Sequence, residues 1–533
     1  MTRVLAAAFT SVLLATAAGA ATPTRGGTVV VGRHPLVCLN PFGPCNLASV
    51  DPVLTQVLEG AFEVGPDLVF RPNLVSKVTI GRKPFTLTYH IRQKARWSDG
   101  APVTAADFSF TYRTFAGYTA PVDGPDLRDL YAKIRRVRVL GAKTFRVELR
   151  EPTYDWRRFF ALVLPRHALA GENITAVWRD RIDNPKTGRP IGNGPFLVSR
   201  LEPGEQLILV RNPNYWGTHH AYLNRVVFDL GGLDPADPLG RLRRNELHLT
   251  SVLDAAQAAE AARIPGWRVV SLPALTQEIL VFRNGPGGYP ALRNKLVRQA
   301  LAYGIDRTAI ARAVNAELGN RARPLDSDVL LPGEPSYRPN WGRYRYNPAR
   351  ARELFERAGC RRGGDRIYSC AGERLRLRFI TTAGDAAREQ ALRLMQTQLL
   401  QAGVDVQPTF APRRALFNTI LPGGNFDAAL FSWTRPAGGN VTPEARCFNV
   451  QNWAGYCSRL TMRDVQQTDR ILDPVLRARV LNDVDEKLAR DVPVLPLFQG
   501  LERVAVRDTV RGFVAGGSAL NSSENSEDWW LAR

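Results

Sequence analysis

Hydrophobic and polar positions along this chain follow two periods, one typical of strands and one typical of helices. Short apolar or alternating runs predict strands at residues 28–31, 85–91, 144–149 and 206–210. The period of two recurs at residues 374–379, where three arginines alternate with leucine and phenylalanine. This last pattern predicts a strand with one basic face in water and one buried apolar face.

Capping residues mark the ends of three predicted helices. Thr104 is the expected N-cap of a helix over residues 105–114. Asp306 is the expected N-cap of a second helix that stops at Gly319. Strands and helices therefore alternate along the chain, which predicts mixed α/β layers. The third helix, over residues 349–358, is marked by Asn347, Pro348 and Gly359.

The first 20 residues have the pattern of a secretory signal peptide. Arg3 supplies the positive start, residues 4–14 are apolar, and residues 18–20 form a small-residue cleavage site. The apolar run is shorter than the roughly 20 residues that span a bilayer. No cysteine lies at the cleavage point, where residue 21 is alanine, so we expect no bacterial lipid anchor. The sequence predicts an exported protein, periplasmic or extracellular and associated with the cell envelope.

The six cysteines form three local couples, separated by 7, 10 and 10 positions. An even number of cysteines in an exported chain favours disulfides, although six thiols allow many connectivities. The simplest hypothesis pairs each cysteine within its own couple. A metal site would need closer spacing and nearby histidines, which are absent here. The predicted disulfides are Cys38–Cys45, Cys360–Cys370 and Cys447–Cys457.

Net charge changes this picture only slightly. The chain of 533 residues has 71 Lys+Arg against 50 Asp+Glu, a formal charge of +21, which would suit an acidic partner. The cations are 8 Lys and 63 Arg scattered along the chain, whereas a nucleic-acid protein concentrates them on one face or tail. We therefore favour a solvated basic surface and expect no nucleic-acid partner.

The chain lacks the common motifs of catalysis and cofactor binding. It has no GxSxG, HExxH, P-loop or strand-linked GxGxxG motif. His219 and His220 are adjacent, and on a strand they would point to opposite faces, which makes a poor metal site. A dispersed pair of carboxylates, as in a hydrolase, stays open. The sequence favours binding without catalysis, with no cofactor, no metal and no catalytic residue.

Six segments in order along the chain form a recognisable set. The segments are GGTVVVG with LNP in residues 26–41, WSDGAPVTAADF at 97–108, GNGPF at 192–196, RNPNYW at 211–216, VRQALAYGIDR at 297–307 and DVPVLPL at 491–497. Together they resemble the family 5 extracytoplasmic solute-binding proteins of ABC importers, the oligopeptide-, dipeptide- and nickel-binding group. The resemblance covers the chain from about residue 26 to residue 500.

The resemblance implies an α/β fold of the two-lobed periplasmic binding protein type II-like kind, with an additional subdomain inserted in lobe I. Ligand would be held between the lobes, and closure would be a hinge motion that a membrane permease detects. The expected division is a signal peptide at 1–20, lobe I at 21–49, 186–268 and 489–533, the inserted subdomain at 50–185, and lobe II at 269–488.

The resemblance also implies where ligand binds. In the family, a tryptophan lies on a lobe II strand at the cleft, and residues 431–434 (FSWT) fit that strand. Further candidates lie in the opening loop of lobe I and in the inserted subdomain. The expected ligand-binding residues are Trp433, Ser432, Thr434, His34, Leu36 and Tyr118.

One departure from the family concerns the ligand's amine. In peptide-binding members an aspartate three residues after the tryptophan pairs with the peptide α-amine, and Pro436 occupies that position here. Glu444 or Asp427 would have to substitute. Downstream, residues 447–457 resemble a disulfide loop of dipeptide-binding members, which supports the Cys447–Cys457 pairing.

The leading hypothesis is a monomeric receptor for a peptide or peptide-like solute, with the permease subunits of an ABC importer as its partners. An oligosaccharide receptor of the same fold is the alternative, because aromatic faces bind sugars without an amine anchor. Nickel-type ligands are less favoured with only 6 His. Two other classes stay open, namely a secreted carboxylate-dependent hydrolase and an adhesin or nucleic-acid binder driven by charge.

Overall fold

The short apolar and alternating runs form strands, as their periodicity predicts. A computed structural model describes residues 22–33, 36, 38–42, 53–65, 69–117, 125–232, 237–251, 254–334, 336–435, 439, 441–514 and 525–532. In chain order the strands are β1 (Thr28–Gly32), β2 (Phe62–Val64), β3 (Phe70–Pro72), β4 (Val75–Arg82), β5 (Phe85–Ile91), β6 (Ile134–Gly141), β7 (Thr144–Leu149), β8 (Asp183–Asn184), β9 (Arg189–Pro190), β10 (Phe196–Glu202), β11 (Gln206–Arg211), β12 (Arg225–Asp229), β13 (Leu249–Thr250), β14 (Trp267–Phe282), β15 (Arg361–Arg362), β16 (Tyr368–Cys370), β17 (Glu373–Arg374), β18 (Arg376–Thr382), β19 (Asp405–Ala411), β20 (Ala428–Thr434), β21 (Val494–Arg507), β22 (Val510–Arg511) and β23 (Trp530–Leu531).

The helices begin at the predicted caps. The side chains of Asp306 and Asn347 each accept a backbone N–H from the first turn of their helix. In chain order the helices are α1 (53–57), α2 (Ala105–Phe115), α3 (Pro125–Ala132), α4 (Arg166–Leu169), α5 (Gly240–Arg243), α6 (Ala255–Ala261), α7 (Lys295–Gly304), α8 (Arg307–Val314), α9 (Pro348–Arg357), α10 (Ala386–Ala402), α11 (Arg413–Ala415), α12 (Leu421–Gly423), α13 (Arg459–Arg470) and α14 (Pro474–Asp491). Short 3₁₀ turns include Tyr154–Arg158 and Pro443–Ala445.

A ten-stranded sheet passes through both lobes in the order β10-β11-β12-β1-β13-β21-β14-β20-β18-β19. Its two central strands, β14 and β21, have 16 and 14 residues and pair antiparallel. Their pairing is irregular between Pro273 and Gln277. Lobe I strands lie beside the half that contains Trp267, and lobe II strands lie beside the half that contains Phe282. These two strands are therefore the crossovers that join the lobes.

Two large hydrophobic cores lie on either side of this irregular point. One core contains residues of lobe I, such as Val29, together with residues of the inserted subdomain, such as Trp97 and Phe108. The other contains lobe II residues from Ile279 onward, together with the first residues of the crossover strand β21, Val494 to Phe498. Because the inserted subdomain shares its core with lobe I, we expect the two to move as one unit against lobe II.

The inserted subdomain is built on the antiparallel sheet β4-β5-β7-β6. Helix α2 packs on this sheet through Phe108, whose ring lies 4.6 Å from that of Phe145. At the start of α2, Asp107 Oδ2 accepts the backbone N–H of Thr104 at 2.7 Å. The WSDGAPVTAADF segment thus makes a turn and starts a helix, and its role in the inserted subdomain is structural.

Two predicted elements differ from the structure in extent. The helix capped by Asp306 ends at Val314 and is followed by a 3₁₀ turn, so it stops five residues before Gly319. It ends there because the backbone of Asn315 leaves helical geometry, with φ −122° and ψ 48°. The Asn315 side-chain oxygen accepts an N–H from Arg503 on β21 at 3.1 Å. The arginine-rich strand is divided at Leu375 into β17 and β18, and the Leu375 N–H donates to the carbonyl oxygen of Tyr368.

Disulfides join Cys360 to Cys370 and Cys447 to Cys457, which agrees with the pairing within couples. Cys38 is disulfide-bonded as well, and its expected partner Cys45 lies outside the described residues. The proposed signal peptide also lies outside them. In the described part of the chain, no helix is both long and apolar enough to cross a membrane.

Candidate functional site

Strand β20 brings the predicted ligand-binding segment to the boundary between the lobes. Its last residue, Thr434, lies opposite Thr276 of β14, inside the irregular stretch of the crossover pairing. The next residue, Arg435, donates its backbone N–H to Leu275 O at 2.7 Å. The carboxyl end of β20 is therefore fixed beside the irregular point of the two crossover strands, between the lobes.

The three neighbouring residues predicted on this strand do not face one pocket. Trp433 lies opposite Gln277, whereas Ser432 lies opposite Glu278. Successive side chains on a strand point to opposite faces, so Ser432 and Thr434 share one face and Trp433 occupies the other. The ligand-binding roles of these three residues stay predictions, and the only surface that all three share is the main chain.

Trp433 lies among aromatic rings from lobe II. Its ring stacks on Trp453 at a centroid distance of 5.4 Å and an interplanar angle of 16°, and Phe431 meets it edge-on at 5.5 Å. Trp453 belongs to the loop closed by the Cys447–Cys457 disulfide. The loop thus supports one face of Trp433, which stays half-buried. Trp433 accordingly contributes to packing as well as to the surface at the strand's end.

Glu444 is the carboxyl group in contact with Trp433. The indole N–H lies 3.1 Å from both of its carboxyl oxygens, and the residue is 1% exposed. Burial raises the pKa of Glu444 to about 8, and the nearby carboxyl of Asp328 acts in the same direction. Near neutral pH this group therefore holds a proton unless a positive charge approaches it.

A buried polar network continues beneath Glu444. The Gln277 amide donates to Asp328 Oδ1 at 3.1 Å and accepts from Arg435 Nε at 2.8 Å. The Thr442 hydroxyl donates to Asp328 Oδ2 at 3.1 Å. Burial raises the pKa of Asp328 to about 7, against the effect of the Arg435 guanidinium. This network fixes the crossover strand to the segments that follow β20.

Asp427, the other suggested substitute for the missing aspartate, lies at the wrong end of the strand. Its Oδ2 accepts the backbone N–H of Arg378 at 2.7 Å. Six residues separate it from Trp433, which is roughly 20 Å along an extended strand. The carboxyl group that lies beside the tryptophan is Glu444.

The opposite face of β20 carries an ion pair. Arg388 donates from Nε and Nη2 to the two carboxyl oxygens of Glu278, at 2.9 and 3.0 Å. Its Nη2 also donates to the Ser432 hydroxyl at 2.7 Å. Arg388 lies in the first turn of α10, which follows β18. Ser432 is therefore engaged by protein groups on its own face.

Among the residues that the structure describes, none pairs with one edge of β20 at its carboxyl end, which we call the open edge. Its pairing with β18 covers Ala428–Leu430 and stops there. Since Arg435 bonds toward β14 and backbone groups alternate along a strand, the N–H and C=O groups of Ser432 and Thr434 point away from β14, toward the open edge. Thr434 is exposed. These groups can form backbone hydrogen bonds with an extended chain laid beside β20.

The candidates outside lobe II contribute less to this picture. His34 and Tyr118 lie outside the described residues. Leu36 is 5% exposed and belongs to the core shared by lobe I and the inserted subdomain. The ligand-binding roles of all three stay predictions. The described residues also hold no group of three or more His, Cys, Asp or Glu side chains suited to a metal ion.

Sequence reasoning missed the ion pair and most of the polar network. Gln277 and Glu278 are two consecutive polar residues within the apolar run of β14. Such a break in a central strand is a signal of buried polar contacts. Arg388 offered no comparable signal, because arginine is common on helices and its partner lies 110 positions away.

Comparisons with known proteins agree with this architecture. The oligopeptide-binding protein OppA of Mycobacterium tuberculosis is 28% identical over 483 residues, which cover 89% of this chain and 80% of that protein. The solved structure of the periplasmic EDTA-binding protein EppA matches with a TM-score of 0.84 and 20% identity, covering 98% of this chain and all of that one. The oligopeptide-binding protein AppA of Bacillus subtilis, solved with a nonapeptide, matches with a TM-score of 0.74 and 19% identity, covering 96% of this chain and all of that one.

These structural likenesses show the fold, which is the two-lobed α/β arrangement expected from the sequence. Family membership rests on the sequence itself. The profile of the family described as "Bacterial extracellular solute-binding proteins, family 5 Middle" matches residues 69–442, well over half of the chain. The chain therefore belongs to the family 5 bacterial extracellular solute-binding proteins.

Proposed function

We propose that this chain is the exported receptor of an ABC importer, which captures a peptide or peptide-like solute between its lobes and delivers it to the membrane permease. The observation that carries the proposal is the open edge of β20 at Ser432 and Thr434. An extended main chain that adds to a free strand edge gains backbone hydrogen bonds independent of its side chains. The related proteins OppA and AppA are described as oligopeptide-binding, and AppA was solved with a nonapeptide.

Glu444 supplies the carboxyl group that Pro436 does not. Glu444 contacts the indole N–H of Trp433. Trp433 in turn lies between Ser432 and Thr434, the two residues whose main chain faces the open edge. A ligand ammonium near Trp433 would be attracted to the indole ring and would favour ionisation of Glu444. The site then releases a proton on binding a free-amine peptide.

The domain division and cellular role follow from the same proposal. We take lobe I as residues 21–49, 186–268 and 489–533, the inserted subdomain as 50–185 and lobe II as 269–488, with the hinge at the irregular β14–β21 pairing. The signal peptide at 1–20 directs export to the periplasm or cell exterior. The mature protein acts as a monomer without catalysis, without a lipid anchor and without a nucleic-acid partner.

The open edge is tested by proline at Thr434. Proline removes the N–H that points to the open edge while leaving the pairing with β14 in place. We expect Thr434→Pro to weaken binding of the co-purified ligand, or of trialanine as a probe, about tenfold. Thr434→Ala is the matched control, since it keeps the N–H and should bind as the unmodified protein does. The measurement is native mass spectrometry before and after partial unfolding, with titration of the probe.

Three outcomes would contradict the proposal. Equal binding by the proline and alanine variants would show that the β20 edge is not used. Recovery of a sugar in place of a peptide would favour the oligosaccharide alternative. Conversion of the ligand to a new product would favour the hydrolase.

A further inference from the structure

The corner between α13 and α14 in lobe II contacts the inserted subdomain. Arg470, at the end of α13, forms an ion pair with Glu151 of the inserted subdomain, with 2.6 Å between Arg470 Nη2 and Glu151 Oε2. Leu472, between the two helices, packs against the core shared by lobe I and the inserted subdomain. These contacts bridge the two bodies that the crossover strands join elsewhere. The corner is thus a second connection between lobe II and the unit it closes against.

Arg477 is the buried member of this connection. It lies in the first turn of α14, is 3% exposed, and its guanidinium carbon lies 3.9 Å from the centroid of the Tyr154 ring. Its Nε donates to Thr468 O at 3.1 Å, and its Nη2 donates to Gly439 O at 3.0 Å. One guanidinium therefore contacts the inserted subdomain, the last turn of α13 and the segment that follows β20.

The two polar contacts at this corner differ in strength. Arg470 and Glu151 are both about half exposed, and an ion pair of that kind contributes little. The Arg477–Tyr154 contact is desolvated, which strengthens the attraction of a cation to an aromatic face. The ring of Tyr154 is therefore the feature that a closing inserted subdomain presents to Arg477.

Gly439 links Arg477 to the packing of lobe II. It has a φ of +72°, and a Cβ there would lie 2.5 Å from Leu330 Cδ2 and 2.9 Å from Val329 O. The backbone at Gly439 is thus packed closely against lobe II. Gly439 lies five residues after Thr434, the last residue of β20.

We propose that Arg477 is a positioning residue that couples closure of the inserted subdomain against lobe II to the main chain of lobe II at Gly439, five residues after the end of β20. Tyr154 engages Arg477, and Arg477 holds the Gly439 carbonyl. The inference rests on the proposed function, because the closure it concerns is the one that encloses ligand between the lobes. It adds a residue that touches no ligand and acts through the Gly439 main chain.

The ring of Tyr154 gives the sharpest test. Tyr154→Leu removes the aromatic face and keeps an apolar side chain, whereas Tyr154→Phe keeps the face. We expect the leucine variant to show a larger radius of gyration by X-ray scattering. We also expect about tenfold faster amide exchange in the peptide that contains Gly439 and Val441. Tyr154→Phe should match the unmodified protein, as should Arg479→Ala, an exposed arginine two residues from Arg477.

A second variant links the coupling to binding. Arg477→Lys keeps the charge but cannot hold Gly439 and Thr468 with one planar fork. We expect trialanine to dissociate about tenfold faster while its association rate is unchanged.

The outcomes separate the two claims. Faster exchange confined to residues 151–158 in Tyr154→Leu would overturn the coupling, as would identical behaviour of the leucine and phenylalanine variants. Failure of trialanine to bind even the unmodified protein would count against the proposed function, and the exchange measurement would still decide for or against Arg477.

Discussion

The two faces of β20 each bury a carboxyl group near the same open strand edge, yet they stabilise it in different ways. On the Ser432 face, Glu278 receives two hydrogen bonds from the Arg388 guanidinium. On the Trp433 face, Glu444 receives an indole N–H, and burial raises its pKa to about 8. One carboxyl group already has a cation of its own, and the other holds a proton near neutral pH.

This difference indicates which face can respond to a ligand. The Arg388–Glu278 pair is already neutralised, so an incoming charge gains little there. Glu444 becomes a negative counter-charge when it loses its proton, and it contacts the half-exposed Trp433 directly. We therefore assign recognition of a positive group to the Trp433 face and rigidity to the Ser432 face.

The largest expected effect depends on pH. In the unfolded chain Glu444 ionises near its ordinary pKa of 4.5, and in the folded protein near 8. Between these values the folded state holds the extra proton, so its stability falls as pH rises. We expect Glu444→Gln to match the unmodified protein at pH 5 and to exceed its stability by about 4 kcal/mol at pH 9, because the raised pKa corresponds to roughly 1.4 kcal/mol for each pH unit between 5 and about 8. Thermal melting across this range measures the difference.

The control for this prediction is Glu486→Gln, which makes the same substitution at an exposed glutamate. Other buried acids with raised pKa values, such as Glu59 and Glu527, are common to all variants and cancel in the comparison. A difference between Glu444→Gln and the unmodified protein that is flat with pH would contradict the assignment. The same variant should bind trialanine more weakly but leave binding of N-acetyl trialanine unchanged.

The second effect comes from breaking the ion pair. Arg388→Ala leaves the Glu278 carboxylate largely buried without its cation, and we expect the free energy of unfolding of lobe II to fall by about 3 kcal/mol. Urea unfolding followed by tryptophan fluorescence measures this loss. The double variant Glu278→Leu/Arg388→Leu removes both charges and should recover most of it. A loss below about 0.5 kcal/mol, as for an exposed pair, would show that the two faces do not differ in this way.

Local chain chemistry was sufficient to predict much of the fold. The strands at Phe85–Ile91 and Thr144–Leu149 lie at the predicted positions. In each of them apolar side chains alternate with more polar ones, and the apolar side chains point into a core on one face of the sheet. The cap at Asn347 and the positive-φ Gly359 bound the helix between them. Strand alternation and helix caps depend on residues a few positions apart in the chain, so they can be read from the sequence alone.

The arrangement at the site could be predicted only in part. Motifs located the strand and Trp433, but alternation then placed Ser432 and Thr434 on the other face. Which carboxyl meets the tryptophan depended on tertiary packing, which places Glu444 against Trp433 and leaves Asp427 at the strand's start. Long-range packing decides such contacts, and they cannot be predicted from the spacing of residues along the chain alone.

The smallest expected effect tests whether the Ser432 side chain matters at all. Ser432→Ala removes the acceptor for Arg388 Nη2, which keeps its bonds to Glu278, so we expect a loss of about 1 kcal/mol in unfolding free energy. Binding of trialanine should be unchanged, because the alanine variant retains the main-chain groups that point to the open edge. The two quantities are measured by urea unfolding and by titration of the probe. If affinity fell while stability held, the Ser432 face would take part in recognition, and the division of roles between the two faces would be wrong.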